Sequence, residues 1–175
     1  EDLNIIADER ISFTGIAGGI QGGVVAIGAS VLVLTINSLV KAEIGVNSSL
    51  SATTGEITVS ATYDEKIIGV AFTGGGGVVA IGAQVVYIKS TATQIAMVGN
   101  AGLDSALGMR ADGGVNVIAD ADRDILMVTV GVSGGLAAFG AGVGIAILGG
   151  NTIASFGSLN IGTVADPVDH LTVTA

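Results

Sequence analysis

An octapeptide, GGVVAIGA, stands at residues 22–29 and returns unchanged at 76–83, 54 positions later. Catalytic motifs are rarely duplicated within a chain of 175 residues, so an exact copy points to a repeated structural unit. Three markers share the spacing. A strand-like word occurs as LNIIA (3–7), ITVSA (57–61), VNVIA (115–119) and LTVTA (171–175), offset by 54, 58 and 56. The octapeptide's core recurs as VVAIGA (24–29), VVAIGA (78–83) and LAAFGA (136–141), and AEIG (42–45), AMVG (96–99) and ASFG (154–157) follow with the same offsets. The chain reads as a tandem array with units at about 3–56, 57–114 and 115–170, and a fourth beginning at 171.

Composition selects the kind of unit. Half of the residues are hydrophobic, only 12% are charged and 3% aromatic, with 29 glycines and one proline. Coiled coils and disordered chains need far more charge. Uncharged runs at Ile11–Val40, Ile67–Ile88 and Ile125–Ala165 are long enough for membrane helices. Their glycine pairs cost a helix roughly 1 kcal/mol per residue, however, and their Val, Ile and Thr favour strands. The flanks also lack the basic loops and aromatic belts of membrane spans, so a transmembrane protein is not expected. Alternation supports strands: Ile57, Val59 and Ala61 alternate with Thr58 and Ser60. Tyr87 and Lys89 mark the outward phase of the middle unit, whereas the third unit is apolar on both phases.

The expected fold is all-β, a parallel β-solenoid (a β-helix) in which like residues stack between coils. An antiparallel β-sandwich is the competing fold. A unit of about 56 residues exceeds one ordinary coil, so two or three coils of roughly 18–28 residues are expected per unit. Small residues at Ala26, Gly28, Ala80, Gly82, Ala138 and Gly140 would let opposing walls approach. The charged clusters DER (8–10), DEK (64–66) and DRD (122–124) read as solvent-facing corners.

The words AIGASVLVLTINSLVKAEIG (26–45), AIGAQVVYIKSTATQIAMVG (80–99) and AFGAGVGIAILGGNTIASFG (138–157) resemble the repeats of very large bacterial filamentous adhesins. These are autotransporter or two-partner-secreted exoproteins of the leukotoxin-like type. The third copy departs most, with Gly, Ala and Ile at polar outer positions. The resemblance implies a right-handed β-helical stalk, exported to the bacterial cell surface or released, extending a binding region for adhesion or aggregation. It implies as partners further copies of the repeat, in one chain or as a homopolymer, and a host-cell or bacterial surface receptor. A subunit that stacks end to end into an extracellular filament is the alternative. The chain begins at Glu1 with no signal-like segment, which reads as a piece of something longer.

Chemistry is sparse. A net charge of −9 opposes nucleic-acid binding, and the absence of Cys removes thiol chemistry. His170 is the only histidine and sits between Asp166 and Asp169 on one side and a strand word on the other, where a carboxylate contact in a turn is the simplest role. Asp120, Asp122 and Asp124 are spaced like the start of a calcium loop, but Ile125 and Gly131 occupy the positions where an EF-hand needs Gly and Glu. They form a weak Ca2+ candidate. With Arg123 they also mimic the acidic wall of a carbohydrate-active β-helix enzyme, the third functional reading. TGGGGVVAIGA lacks the Lys-Ser/Thr ending of a phosphate loop. No catalytic residue and no resident cofactor is expected.

Overall fold

The computed structural model describes residues 1–45, 48, 50–52, 54–99, 108–157, 160–162 and 167–175. Among them there is no helix, and all strand pairing is parallel. Two strands of 20 residues, β1 (Leu3–Gly22) and β2 (Val25–Ile44), are followed by the short β3 (Leu50–Ala52). The set recurs as β4 (Glu56–Gly76), β5 (Val79–Val98) and β6 (Gly108–Ala111). It recurs again as β7 (Gly114–Gly134), β8 (Ala137–Gly149), β9 (Thr152–Phe156) and β10 (Asn160–Ile161), after which β11 (Leu171–Thr174) opens another set. The sheets run β1-β4-β7-β11, β2-β5-β8 with β9 also on β5, and β3-β6-β10. The antiparallel alternative is thereby excluded, and the arrangement is consistent with a β-solenoid.

The repeat spacing is the ladder register. Leu3 pairs with Ile57, Ile57 with Val115 and Val115 with Leu171. Ala26 pairs with Ala80 and Ala80 with Ala138. Each unit therefore adds one rung to each sheet, not the two or three coils expected. The glycines read as breaks explain the difference. Gly15, Gly18 and Gly19 lie inside β1, because alternation continues through them, and only the last glycine of each run opens a turn.

That turn has two residues, Gly23-Val24, Gly77-Val78 and Gly135-Leu136. Gly23 N–H donates to Gly76 O and Gly77 N–H to Gly134 O, so the turns join the ladder. A Cβ on Gly77 would lie 2.2 Å from the Gly23 carbonyl oxygen, and one on Gly135 equally close to that of Gly77. Backbone stacks on backbone there, which is why Gly77 and Gly135 must be glycine, whereas Gly22, Gly76 and Gly134, the first of each pair, have open space beside them.

Past the turn the chain doubles back, and the two long sheets face each other. Near the turn Gly75 approaches Ala26 and Ala80, so the walls are close where the small residues were expected to bring them together. Ile67 and Ala71 meet Val86 and Ile88 farther along. At the wide end Ile57, Val59 and Val115 pack with Ala96 and Val98 and with Ala52 and Ala111 of the short sheet. In β4 and β5 burial alternates strictly, and Val86 and Ile88 point inward while Tyr87 and Lys89 point outward.

The outer faces near the turn are apolar too. Ile16, Ile20, Leu126 and Val132 are exposed on one long sheet, and Ile27, Val31, Val33 and Phe139 on the other. Charges cluster beyond them, at 8–10, 41–43, 64–66 and 120–124.

Phase can be tested with one chemistry on one sheet. Ile57 is fully buried, so Ile57→Ala should cost about 2–5 kcal/mol in denaturant unfolding. Ile20 is 84% exposed, so Ile20→Ala should stay within about 0.5 kcal/mol of the parent.

Candidate functional site

Successive side chains of a strand point to opposite faces, and this rule decides where the charged clusters go. They are not corners. They sit mid-strand, in one register: Arg10 with Asp64 with Asp122, and Ile11 with Glu65 with Arg123. Asp64, Lys66, Asp120, Asp122 and Asp124 take the outward phase, while Glu9, Glu65 and Arg123 take the inward one.

The inward members build a polar cluster between the sheets. Glu65 is fully buried, and Ser90 on the facing β5 donates to its Oε2 at 2.8 Å. Arg123 Nε lies 3.9 Å from the same oxygen, and the guanidinium stands 5.6 Å from the Tyr63 ring centroid. One rung away Ser38 donates to Glu9. Burial raises the Tyr63 hydroxyl above its ordinary pKa of 10.0, with the Glu65 charge adding to the rise.

Arg123 also explains a break in the ladder. The register of β5 to β8 stops at Thr91–Gly149 and resumes at Gln94–Thr152 with β9. Between them Gly150 has φ +122°, and a Cβ there would lie 1.7 Å from the Ala92 carbonyl oxygen. Arg123 reaches across from β7 and donates to that carbonyl and to Gly149 O, both at 2.9 Å. The guanidinium supplies two bonds where strand pairing lapses.

The aspartates of the calcium candidate lie along an extended strand and not in a loop, so neighbours are about 6.6 Å apart along one face. Among the described residues no three His, Cys, Asp or Glu side chains gather as a metal site. Arg123 points to the opposite side of β7 from all three, so the acidic wall proposed for an enzyme does not assemble. His170 Nδ1 lies 3.4 Å from Asp169 Oδ2, its ring covers Gly114, and its carbonyl accepts from Val115 N–H as the chain enters β11. Asp166 lies outside the described residues. No helix among them is long and apolar enough to cross a membrane.

The interior cluster was missed in the sequence, although counting by two from Ile57 through Tyr63 lands on Glu65. The remaining feature is the continuity of the ladder: among the described residues β11 opens the next unit by pairing with β7 over Val115–Ile118.

No family model matches the chain, and no curated protein or solved structure matches it significantly.

Removing one partner of a buried ion pair strands the other charge. Arg123→Met should therefore lose about 3–5 kcal/mol in denaturant unfolding, and adding Glu65→Leu should restore most of it. The folded state holds the Tyr63 proton more tightly than the unfolded chain does. Its contribution is intact below pH 10 and lost as pH climbs above that value, so thermal stability should fall there and recover in Tyr63→Phe.

Proposed function

We propose that the chain is a structural segment of an exported, surface-displayed bacterial filament, a right-handed β-helical stalk that carries adhesion or aggregation. The observation supporting this reading is the single register that runs through the ladders at offsets of 54, 58 and 56. Such a ladder extends by adding units without altering those already present. It spends its polar interior on Ser90, Glu65 and Arg123, which brace the walls. Resemblance to the repeats of large filamentous adhesins agrees with this use, with a host-cell or bacterial surface receptor as the partner of the displayed end.

The dimensions agree as well. Parallel strands lie about 4.8 Å apart, so one unit lengthens the axis by only that much. A stalk of about 200 Å would need roughly 40 units, which suits a very large protein. A filament subunit that stacks end to end is the second reading, which the same in-register pairing would serve.

Concatenated chains test the stalk. Solution scattering should show one dimension growing by about 4.8 Å per added unit while the cross-section stays constant. Growth in steps of tens of ångströms would mean separate beads and would overturn it. Cells displaying a long array should aggregate more than cells displaying a short one, and equal aggregation would remove the adhesive role.

A further inference from the structure

We propose that the outer face of the β2-β5-β8 sheet beside the turn is a lateral self-association surface, against which the same face of a second copy packs with the two stalks parallel. The inference rests on the solenoid reading above and names what covers one flank of the stalk.

The face is built of columns, and their sizes alternate. Ile27, Ile81 and Phe139 form an outward ridge, and Ala29, Ala83 and Ala141, two residues on, form a groove beside it. Val31, Val85 and Val143 make a lower ridge on the far side of the groove. Exposure here belongs to the face and not to a rung's place in the stack. Ile81 has a rung on either side of it and is still 44% exposed. No charged residue occurs within 25–33, 79–87 or 137–145.

Ridge and groove are neighbours, so the face matches itself. A two-fold axis parallel to the stalk, midway between those two columns, carries the ridge of each copy onto the groove of the other. The same operation lays the Val31 column of one copy over the Val25 column of its partner. A large side chain then meets a small one while two of middle size meet each other, and one sheet-to-sheet distance suits both.

Charge selects the occupant. The acidic clusters stand on β1, β4 and β7, whereas β2, β5 and β8 hold one acidic residue, Glu43. Two copies at −9 each repel through the first long sheet and meet through this one with no acid facing acid. The same net charge opposes an anionic membrane surface.

Area sets a threshold. From residue 25 to residue 33 the face spans about 26 Å, and each rung adds about 4.8 Å, so one unit contributes about 125 Å². A stable interface needs about 800 Å² per partner, which about six or seven units supply. Three units supply about 380 Å², too little to hold a pair.

Sedimentation velocity of the 175-residue chain, and of arrays repeating its residues 3–170 two and three times, tests the surface. The single chain should stay monomeric and the longer arrays should pair, about tenfold or more tightly in the longest than in the middle one. Scattering should show the pair thickened at unchanged length. Ile27→Lys, Ile81→Lys and Phe139→Lys together should weaken pairing about tenfold or more, with circular dichroism unchanged. Ala29→Leu, Ala83→Leu and Ala141→Leu fill the groove while adding apolar surface. A ridge seated in that groove is expelled and pairing drops about tenfold, whereas general stickiness would increase it. Long arrays that stay monomeric, that lengthen instead of thickening, or that pair more tightly once the groove is filled would overturn the proposal. Capture of unpaired arrays by phosphatidylcholine vesicles would overturn it too, by giving the face to lipid. Monomeric arrays that still grow by about 4.8 Å per unit sink the lateral surface alone, whereas growth in steps of tens of ångströms sinks the solenoid reading beneath it.

Discussion

Every residue of the long strands stands in a column, and that constraint governs the rest of the structure. In-register parallel pairing fixes the neighbour above and below each side chain, so a substitution in one unit is felt by the same position in the next. Ala26 on Ala80 on Ala138 keeps the walls close near the turn, and Gly23 under Gly77 under Gly135 stacks turn on turn. Columns that hold unlike residues carry the individuality of the molecule: Ile11, Glu65 and Arg123 share one, and Glu9, Tyr63 and Ala121 the next.

Those two columns show how a mostly apolar interior tolerates charge. A buried carboxylate is costly unless paired and hydrogen-bonded. Glu65 has both Ser90 and Arg123, and Arg123 has two backbone carbonyls besides. The carbonyl of Ala92 accepts from Arg123 where Gly150 interrupts the strand, so the ladder defect and the half-buried arginine satisfy each other. Outside, the charged Arg10, Asp64, Lys66 and Asp122 stand mid-strand on the first long sheet, between apolar side chains exposed toward the turn, as Ile16 and Ile20 are, and at the far end, as Ile6 is.

Register was legible before any coordinates, because identical words at offsets of 54 and 58 are what vertical stacking leaves in a sequence. Strand length was less so. Glycines usually punctuate strands, yet Gly18 sits within β1 because the Phe72 ring needs the room beside it, which is a property of the adjacent rung. The charged clusters misled for a similar reason. A run of Asp, Glu and Lys suggests a solvated corner, but alternation splits Asp64 and Lys66 from Glu65 and sends them to opposite faces. The cross-sheet reach of Arg123 had no local signature, since its partners lie at 65, 92 and 149.

Long strands make an unusual trade. Most of each unit is spent widening the cross-section: a 20-residue strand spans about 66 Å, against a rise of about 4.8 Å per unit. For reach alone, shorter coils would extend farther per residue. What the wide rung gains is contact between units, because each added rung pairs over two strands of about 20 residues and buries a full row of side chains on the last. Parallel ladders of that width resist removal of any one rung from the middle. Cohesion per unit, more than length per unit, is what this sequence builds. The filament we propose, one that must hold under load, would draw on that property.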